Sequence, residues 1–387
     1  MRPRLFTPGP TQISERVIMA MSQPMQHHRS PEFKELFVEA SDLLRRFFKT
    51  EDDVLTLTAS GSGAMEACIV NLLKKGEKVI TLEGGKFGQR WGDISRAYGL
   101  EVVPVEIEWG EAIEPERVAE IVRAHPDVAA VCMTHSETST GVAFDVRDIT
   151  AQVHRNSNAI VIVDGITSIG VLPFYKDEWE IDVCVSGSQK GVMIPPGLGF
   201  AALNERAWQR AEQSDLPKFY FDFLKARKAL RNGTTPWTPA TTLLIGLHES
   251  LKMIFEKGLE NLWHKYARLA HATHAGVRAA GLELFARQPS NALTAVKIPE
   301  QIDGAAFVKK LREEYQVTVA GGQEKLKGKI FRVAHMGYYD HLDMVAFASA
   351  MELALRDFDW PFDPGTAVRA VQVAYMDFQN QHNEQQG

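Results

Sequence analysis

The sequence has few cysteines, no long apolar run and no excess of basic residues. Its cysteines number three in 387 residues, and each lies within an apolar stretch: Cys68, Cys132 and Cys184. Their spacing matches no metal-ligand motif, so we expect buried free thiols in a reducing compartment. No apolar run reaches the ~20 residues that a membrane-spanning helix needs. These absences argue against a disulfide-stabilised protein, a metal–thiolate protein and a membrane protein.

The charge is mildly acidic. Lysine and arginine number 43 against 49 aspartates and glutamates, which gives a formal net charge of −6. A nucleic-acid partner usually requires a basic face, so we expect none. Met1-Arg2-Pro3-Arg4 is followed by a Pro/Gly turn and not by an apolar segment, so no secretory signal is expected. The prediction is a cytoplasmic protein.

Two nucleotide-binding motifs are also missing. The GxxxxGK pattern of a P-loop does not occur. Ser60-Gly61-Ser62-Gly63 resembles the start of a dinucleotide fingerprint, but Glu66 stands where its third glycine belongs. A glycine-rich turn that opens a helix can still bind an anion through its first N–H groups and the helix dipole. A plain turn followed by a capped helix is the alternative for this stretch alone.

The pattern that is present is an alternation of short apolar strands with helical segments. Buried strands that alternate with helices predict an α/β fold with a large, mainly parallel sheet covered on both faces. The predicted strands are residues 54–58, 78–82, 101–107, 128–134, 159–163 and 182–186. We predict an irregular N-terminal segment (1–30), a large domain (31–258), a smaller C-terminal α+β domain (259–360) and a loosely packed tail (361–387).

Ligands of parallel sheets bind at the carboxyl ends of the strands, so the residues there are the site candidates. Lys190 follows one strand among apolar segments, where its pKa should fall and its free amine can form a Schiff base. Asp164 ends another strand, and a desolvated carboxylate needs a cationic partner. The polar run 135–141 follows a third strand. Taken singly, the lysine could also be a surface residue, the aspartate a helix cap, and the polar run a hydrogen-bonded turn.

Together, an anion cradle, an acid and a lysine match the phosphate, the ring nitrogen and the aldehyde of pyridoxal phosphate (PLP). The sequence resembles the class V aminotransferases of fold type I, and within them the alanine–glyoxylate and serine–glyoxylate (serine–pyruvate) group. The resemblance spans about residues 5 to 357. The matching pieces are residues 7–10, 60–63, 87–90, 134–141, 163–164, 186–190 and 331–333.

The resemblance implies roles for individual residues. Lys190 would hold the cofactor as a Schiff base and move the proton between the substrate Cα and the cofactor C4′. Asp164 would keep the ring nitrogen protonated, and Arg332 would grip the substrate carboxylate, with Gly9 beside it. The remaining cofactor contacts implied are Ser62, Gly63, Ala64 and Gln189 at the phosphate, Thr138 near the phenolic oxygen and Phe87 stacked on the ring.

The resemblance also implies a homodimer with shared active sites. Thr238 aligns with a hydroxyl that reaches the phosphate site of the partner subunit. Thr235 stands where some relatives have a tyrosine, which leaves a second cross-subunit contact open. His135 and Glu137 suggest no third ligand, so no metal site is predicted.

The expected function is transamination of a small amino acid, serine or alanine, with glyoxylate or pyruvate as the 2-oxo acid. Arg332 is the one evident carboxylate anchor, and no second arginine is expected for a dicarboxylate. One alternative is a cysteine desulfurase or another PLP lyase of the same fold, against which the buried cysteines count. The other is a non-enzymatic or redox subunit, although the sequence has no iron–sulfur ligand pattern.

Overall fold

A computed structural model describes the backbone of residues 2–386 and the side chains up to residue 378. The strands in chain order are β1 (Arg4–Leu5), β2 (Val54–Thr58), β3 (Lys78–Glu83), β4 (Glu101–Glu106), β5 (Val128–Thr134), β6 (Ser136–Glu137), β7 (Val142–Ala143), β8 (Ile160–Asp164), β9 (Val183–Gly187), β10 (Leu198–Leu203), β11 (Leu293–Lys297), β12 (Val317–Thr318), β13 (Ala320–Gly321) and β14 (Ile330–Ala334). The helices are α1 (Glu15–Met21), α2 (Pro31–Phe48), α3 (Gly61–Leu72), α4 (Lys86–Ala97), α5 (Pro115–Ala124), α6 (Val146–Asn156), α7 (Glu205–Ala211), α8 (Phe223–Arg231), α9 (Thr241–Lys257), α10 (Leu259–Ala279), α11 (Gly304–Glu313), α12 (His341–Arg356) and α13 (Thr366–Gln386).

Seven strands form the central sheet in the order β2-β10-β9-β8-β5-β3-β4. The pairs among β4, β3, β5, β8 and β9 are parallel, and β10 runs antiparallel to both β9 and β2. All strands of this sheet except β10 therefore point the same way. The predicted mainly parallel sheet is confirmed, and β10 is an addition to it.

Both faces of this sheet are buried. On β8, Val161 and Val163 belong to one apolar cluster, and Ile160 and Ile162 belong to another. Successive side chains of a strand point to opposite faces, so two clusters require helices on each side. Because both faces are covered, a ligand can bind at the edge where the strands have their carboxyl ends.

The smaller C-terminal part contains a three-stranded antiparallel sheet, ordered β11-β14-β13. Helix α11 contacts β13 and β14, and it packs against α12. The domain boundaries given above remain predictions. Among the described residues, no helix is both long and apolar enough to cross a membrane.

Two terminal segments are more ordered than expected. Residues 1–30 were predicted to be irregular, yet β1 pairs in parallel with β12 and α1 packs on α9. The tail was predicted to pack loosely, yet α13 packs against α10 and α12. The Glu352 carboxylate accepts from the N–H groups of Gly365 at 2.9 Å and Ala367 at 2.7 Å at the start of α13. These elements depend on long-range contacts, which sequence periodicity does not report.

Candidate active site

A cavity of about 210 Å³ lies where five parallel strands end. Its wall combines residues that follow β2, β3, β5, β8 and β9, and it includes one glycine from the N-terminal segment. The lining residues are Gly9, Ser60, Gly61, Ser62, Phe87, Arg90, Ser136, Thr138, Asp164, Ile166, Thr167, Gln189 and Lys190. The sheet topology thus brings together side chains that are far apart in sequence.

Lys190 and Asp164, the two predicted catalytic residues, both line this cavity. Burial lowers the pKa of Lys190 to about 8, and the Nζ atom donates to the carbonyl oxygen of Pro8. Burial raises the pKa of Asp164 to about 7, although the positive charges of Arg90 and Lys190 oppose the shift. Asp164 Oδ1 accepts from the Ile166 N–H at 2.8 Å. An amine and a carboxyl group with pKa values near neutrality therefore share one cavity.

The first turn of α3 forms the cavity wall beyond β2. The N-cap hydroxyl of Ser60 accepts from the Gly63 N–H at 3.4 Å, and the Ala64 N–H donates to the Ser60 carbonyl. The N–H groups of Gly61 and Ser62 have no acceptor in their own helix, because the first turn of a helix lacks them. Ser62 lines the cavity as expected, whereas Gly63 and Ala64 lie in the same turn outside the lining. Ser60 and Gly61 also line it; they belong to the predicted glycine-rich turn but were not named as cofactor contacts.

Two apolar side chains line the cavity, Phe87 and Ile166. Phe87 was predicted as a ring-stacking residue, and it is half-buried at the start of α4. Ile166 was not predicted. Its side chain packs so closely on Gly61 that any Cβ at Gly61 would overlap it. The sequence pattern drew attention to Asp164 and not to the apolar residue two positions later, so this apolar wall was not predicted.

Glu137 is a buried carboxylate that fixes the start of α4. Its Oε2 atom accepts from the N–H groups of Phe87 at 3.0 Å and Gly88 at 2.9 Å. Its Oε1 atom accepts from the backbone and hydroxyl groups of Ser139, at 3.0 and 2.5 Å. The N-cap residue of α4, Gly85, has no side chain for this purpose. Glu137 therefore replaces the missing cap from a distant loop, and it holds Phe87 in place.

Replacing Glu137 with glutamine should lower the free energy of unfolding by about 1–3 kcal/mol, because the amide NH₂ group must then face N–H donors that become unsatisfied. Urea unfolding followed by circular dichroism measures the change. Glu116→Gln, in the exposed first turn of α5, is the matched control and should change stability by less than about 0.5 kcal/mol. Equal stability of the two variants would contradict the proposed cap.

Arg332 lies on β14 and is 5% exposed, so it is not a surface strand residue. Its Nη1 atom donates to the Thr138 carbonyl at 2.8 Å. Its Nε and Nη2 atoms donate to the Gly321 carbonyl at 3.1 and 2.7 Å. Burial lowers the pKa of Arg332 to about 10, and the negative charge of Glu137 opposes the shift. Since a guanidinium has five N–H donors, two remain for a ligand.

Three other predicted residues have different environments. Gly9 has a φ of +130°, and any Cβ there would overlap the Lys190 side chain, so glycine is required beside the amine. Gln189 lines the cavity, and its buried Oε1 atom has no hydrogen-bond partner among the described residues. Thr238 is exposed and does not line the cavity of its own chain.

Arg90 lines the cavity and was not predicted as a site residue, whereas the predicted anchor Arg332 is not among the lining residues. Arg90 Nη1 donates to Ser62 Oγ at 2.8 Å, and its Cζ atom lies 4.8 Å from the centroid of the Phe87 ring. The sequence motif that contains both residues was used only to identify a family resemblance. The described residues contain no cluster of three or more His, Cys, Asp or Glu side chains that could hold a metal ion.

Comparison with known proteins places these features in a family context. The family model described as "Aminotransferase class-V" matches residues 4–337 of this chain. A soluble hydrogenase small subunit from a Synechococcus species is 39% identical, over 95% of this chain and 97% of the relative. A serine–glyoxylate aminotransferase from Methylorubrum extorquens is 37% identical, over 96% and 95%. The crystal structure of ureidoglycine–glyoxylate aminotransferase from Bacillus subtilis superposes with a TM-score of 0.91 at 28% identity, over 97% of this chain and 98% of that chain.

Proposed function

The chain belongs to the class V aminotransferase family, as its motifs predicted, and we propose that it transfers an amino group from serine or alanine to glyoxylate or pyruvate with PLP as cofactor. The observation that carries this proposal is the shared cavity of Lys190 and Asp164, whose pKa values burial brings to about 8 and about 7. The substrates of the relatives support the choice of donor and acceptor.

The donor groups at the cavity fit PLP. The buried Oε1 atom of Gln189 accepts no hydrogen bond from the described residues, and the amide NH₂ group of the same side chain is the one that can donate to a phosphate oxygen. The first turn of α3 and the Gln189 side chain would hold the phosphate, with Ser62, Gly63 and Ala64 in that turn. Asp164 would meet the ring nitrogen, and Thr138 the phenolic oxygen. Phe87 and Ile166 would contact the ring, and Lys190 the aldehyde.

When bound, PLP supplies an aldehyde that condenses with amines and a protonated ring that withdraws electrons from the substrate Cα. Lys190 contributes a proton-transfer group at Nζ. With a pKa of about 8, roughly a tenth of this amine is uncharged at pH 7, against well under a thousandth for an ordinary lysine. The Asp164 carboxylate would keep the ring nitrogen protonated, because a nearby negative charge stabilises the cationic form of that nitrogen.

Arg332 provides the substrate anchor. Its two remaining donors suit the carboxylate that every amino acid and 2-oxo acid carries. The bonds to Thr138 and Gly321 hold the guanidinium in one orientation, so less side-chain freedom is lost when substrate binds. A fixed anchor together with a small cavity favours small substrates.

A homodimer would complete the site. Thr238 is exposed outside its own cavity, beside an exposed group of stacked aromatic rings. Phe219 is 71% exposed, and its ring lies 5.2 Å from that of Trp237, which also stacks on Tyr220. Exposed apolar patches of this kind mark protein interfaces. We therefore infer that Thr238 reaches the phosphate site of a second copy. A cytoplasmic location remains a prediction from the buried free thiols.

The test is a panel of amino donors and 2-oxo acceptors with the purified, PLP-loaded protein. Serine or alanine with glyoxylate should give the 2-oxo acid of the donor at a rate far above that of a protein-free control. Cysteine without an acceptor tests for sulfide release. Burial raises the thiol pKa values of Cys68, Cys132 and Cys184, so no sulfide is expected. Sulfide without any transamination would overturn the proposal.

A further inference from the structure

Arg90 is a positive charge at the cavity to which the proposed function gives no role. It is half-buried, and among the residues whose side chains are described no carboxylate lies within ion-pair distance of its guanidinium. Removing a charge from water without a partner is costly, so a partly buried cation usually faces an anion. The acids near the cavity do not serve this purpose. Asp164 is proposed to meet the ring nitrogen, and Glu137 already accepts four hydrogen bonds.

The contacts of Arg90 show where that anion would bind. Its Nη1 atom donates to Ser62 Oγ, at the N-terminus of α3. Because the oxygen of this hydroxyl accepts from Arg90, the hydroxyl proton is free to donate to another acceptor. The guanidinium lies against the Phe87 ring, where stacking restricts its movement. Arg90 thus connects a residue at the anion-binding helix start with the predicted ring-stacking residue.

We propose that Arg90 supplies the cationic counter-charge for the phosphate of the cofactor, and that it orients the Ser62 hydroxyl toward the same phosphate. This inference rests on the proposed function. The first-turn N–H groups of α3 carry only partial charges, whereas a phosphate carries close to two negative charges at neutral pH. A full positive charge beside the helix start therefore adds to the binding that the backbone provides.

The experiment compares how the apo forms of wild type, Arg90→Gln and Arg90→Lys bind PLP and pyridoxal, the same ring without the phosphate. Absorbance titration gives both dissociation constants. We expect Arg90→Gln to weaken PLP binding by about 10-fold to 100-fold, because a charge-assisted hydrogen bond is lost, and to leave pyridoxal binding within about twofold. Arg90→Lys keeps the positive charge but lacks the planar guanidinium, so its PLP dissociation constant should lie between those of wild type and Arg90→Gln. Arg96→Met, on the exposed part of α4, is the matched control.

The outcomes separate this inference from the proposed function. Equal weakening for PLP and pyridoxal would overturn it, because Arg90 would then only support Phe87. Unchanged PLP binding with a raised KM for aspartate would also overturn it, and would assign Arg90 to the second carboxylate of a substrate. Wild-type protein that binds no PLP would refute the proposed function itself. Thermal melting of each apo variant shows whether a loss of binding reflects a loss of folding.

Discussion

Replacing Lys190 with alanine is expected to reduce transamination by about 10³-fold or more while the protein remains folded. Among the described residues Lys190 is the only lysine that lines the cavity, and its pKa of about 8 leaves a usable fraction of free amine. The variant loses both the amine proposed to attach the cofactor and the group proposed to move the substrate proton. Lys190→Arg should be as inactive as Lys190→Ala, because a guanidinium stays protonated at neutral pH and offers no free amine.

Initial rates with the best donor and acceptor from the substrate panel measure this loss. Lys218→Ala is the control, since burial also lowers the pKa of Lys218 but it lies outside the cavity lining. Borohydride treatment of the PLP-loaded protein should add the reduced cofactor to the peptide that contains Lys190 in wild type, and to no peptide in the alanine variant. The rate at which wild-type apoprotein takes up PLP should rise with pH through about 8. Full activity in Lys190→Ala would exclude the proposed mechanism.

The sequence was sufficient to predict several of the residues that line the cavity at the strand ends. Lys190 and Ser62 follow apolar strands and Asp164 ends one, and the carboxyl ends of parallel strands meet at one edge of the sheet. The local pattern of an apolar strand with a polar residue at or after its end, combined with this rule of sheet topology, was therefore enough to predict that the three residues lie close together. The family resemblance added Phe87, Thr138 and Gln189, which also line the cavity.

Residues whose role depends on distant contacts were missed. Glu137 was considered only as part of the polar run 135–141 and as an excluded metal ligand, because nothing local indicates that its carboxylate reaches the start of α4. Arg90 lies in a helical pattern in which an arginine ordinarily faces solvent. The Ile166 side chain can line the cavity only because Gly61, on which it packs, has no side chain. In each case the partner comes from another strand end, and sequence periodicity carries no information about that pairing.

Replacing Asp164 with asparagine is expected to lower kcat/KM by about 10²-fold to 10³-fold. Asparagine has nearly the same shape, and its carbonyl oxygen can still accept from the Ile166 N–H. What is lost is the negative charge proposed to keep the ring nitrogen protonated, and without it the ring would withdraw electrons less strongly. Steady-state kinetics measure the effect, and Asp148→Asn, exposed in the first turn of α6, is the control.

A stability measurement isolates the same charge without catalysis. Burial raises the pKa of Asp164 to about 7, above the unfolded value near 3.8, so the folded apoprotein retains a proton that the unfolded chain has released. The stability from this proton is present below pH 3.8 and is lost as the pH rises through about 7. Wild-type apoprotein should therefore lose up to about 1.4 kcal/mol per pH unit relative to Asp164→Asn across that window. Bound PLP should remove the difference, because a cationic ring nitrogen stabilises the carboxylate. If the difference persisted with cofactor bound, Asp164 would not be the partner of that nitrogen.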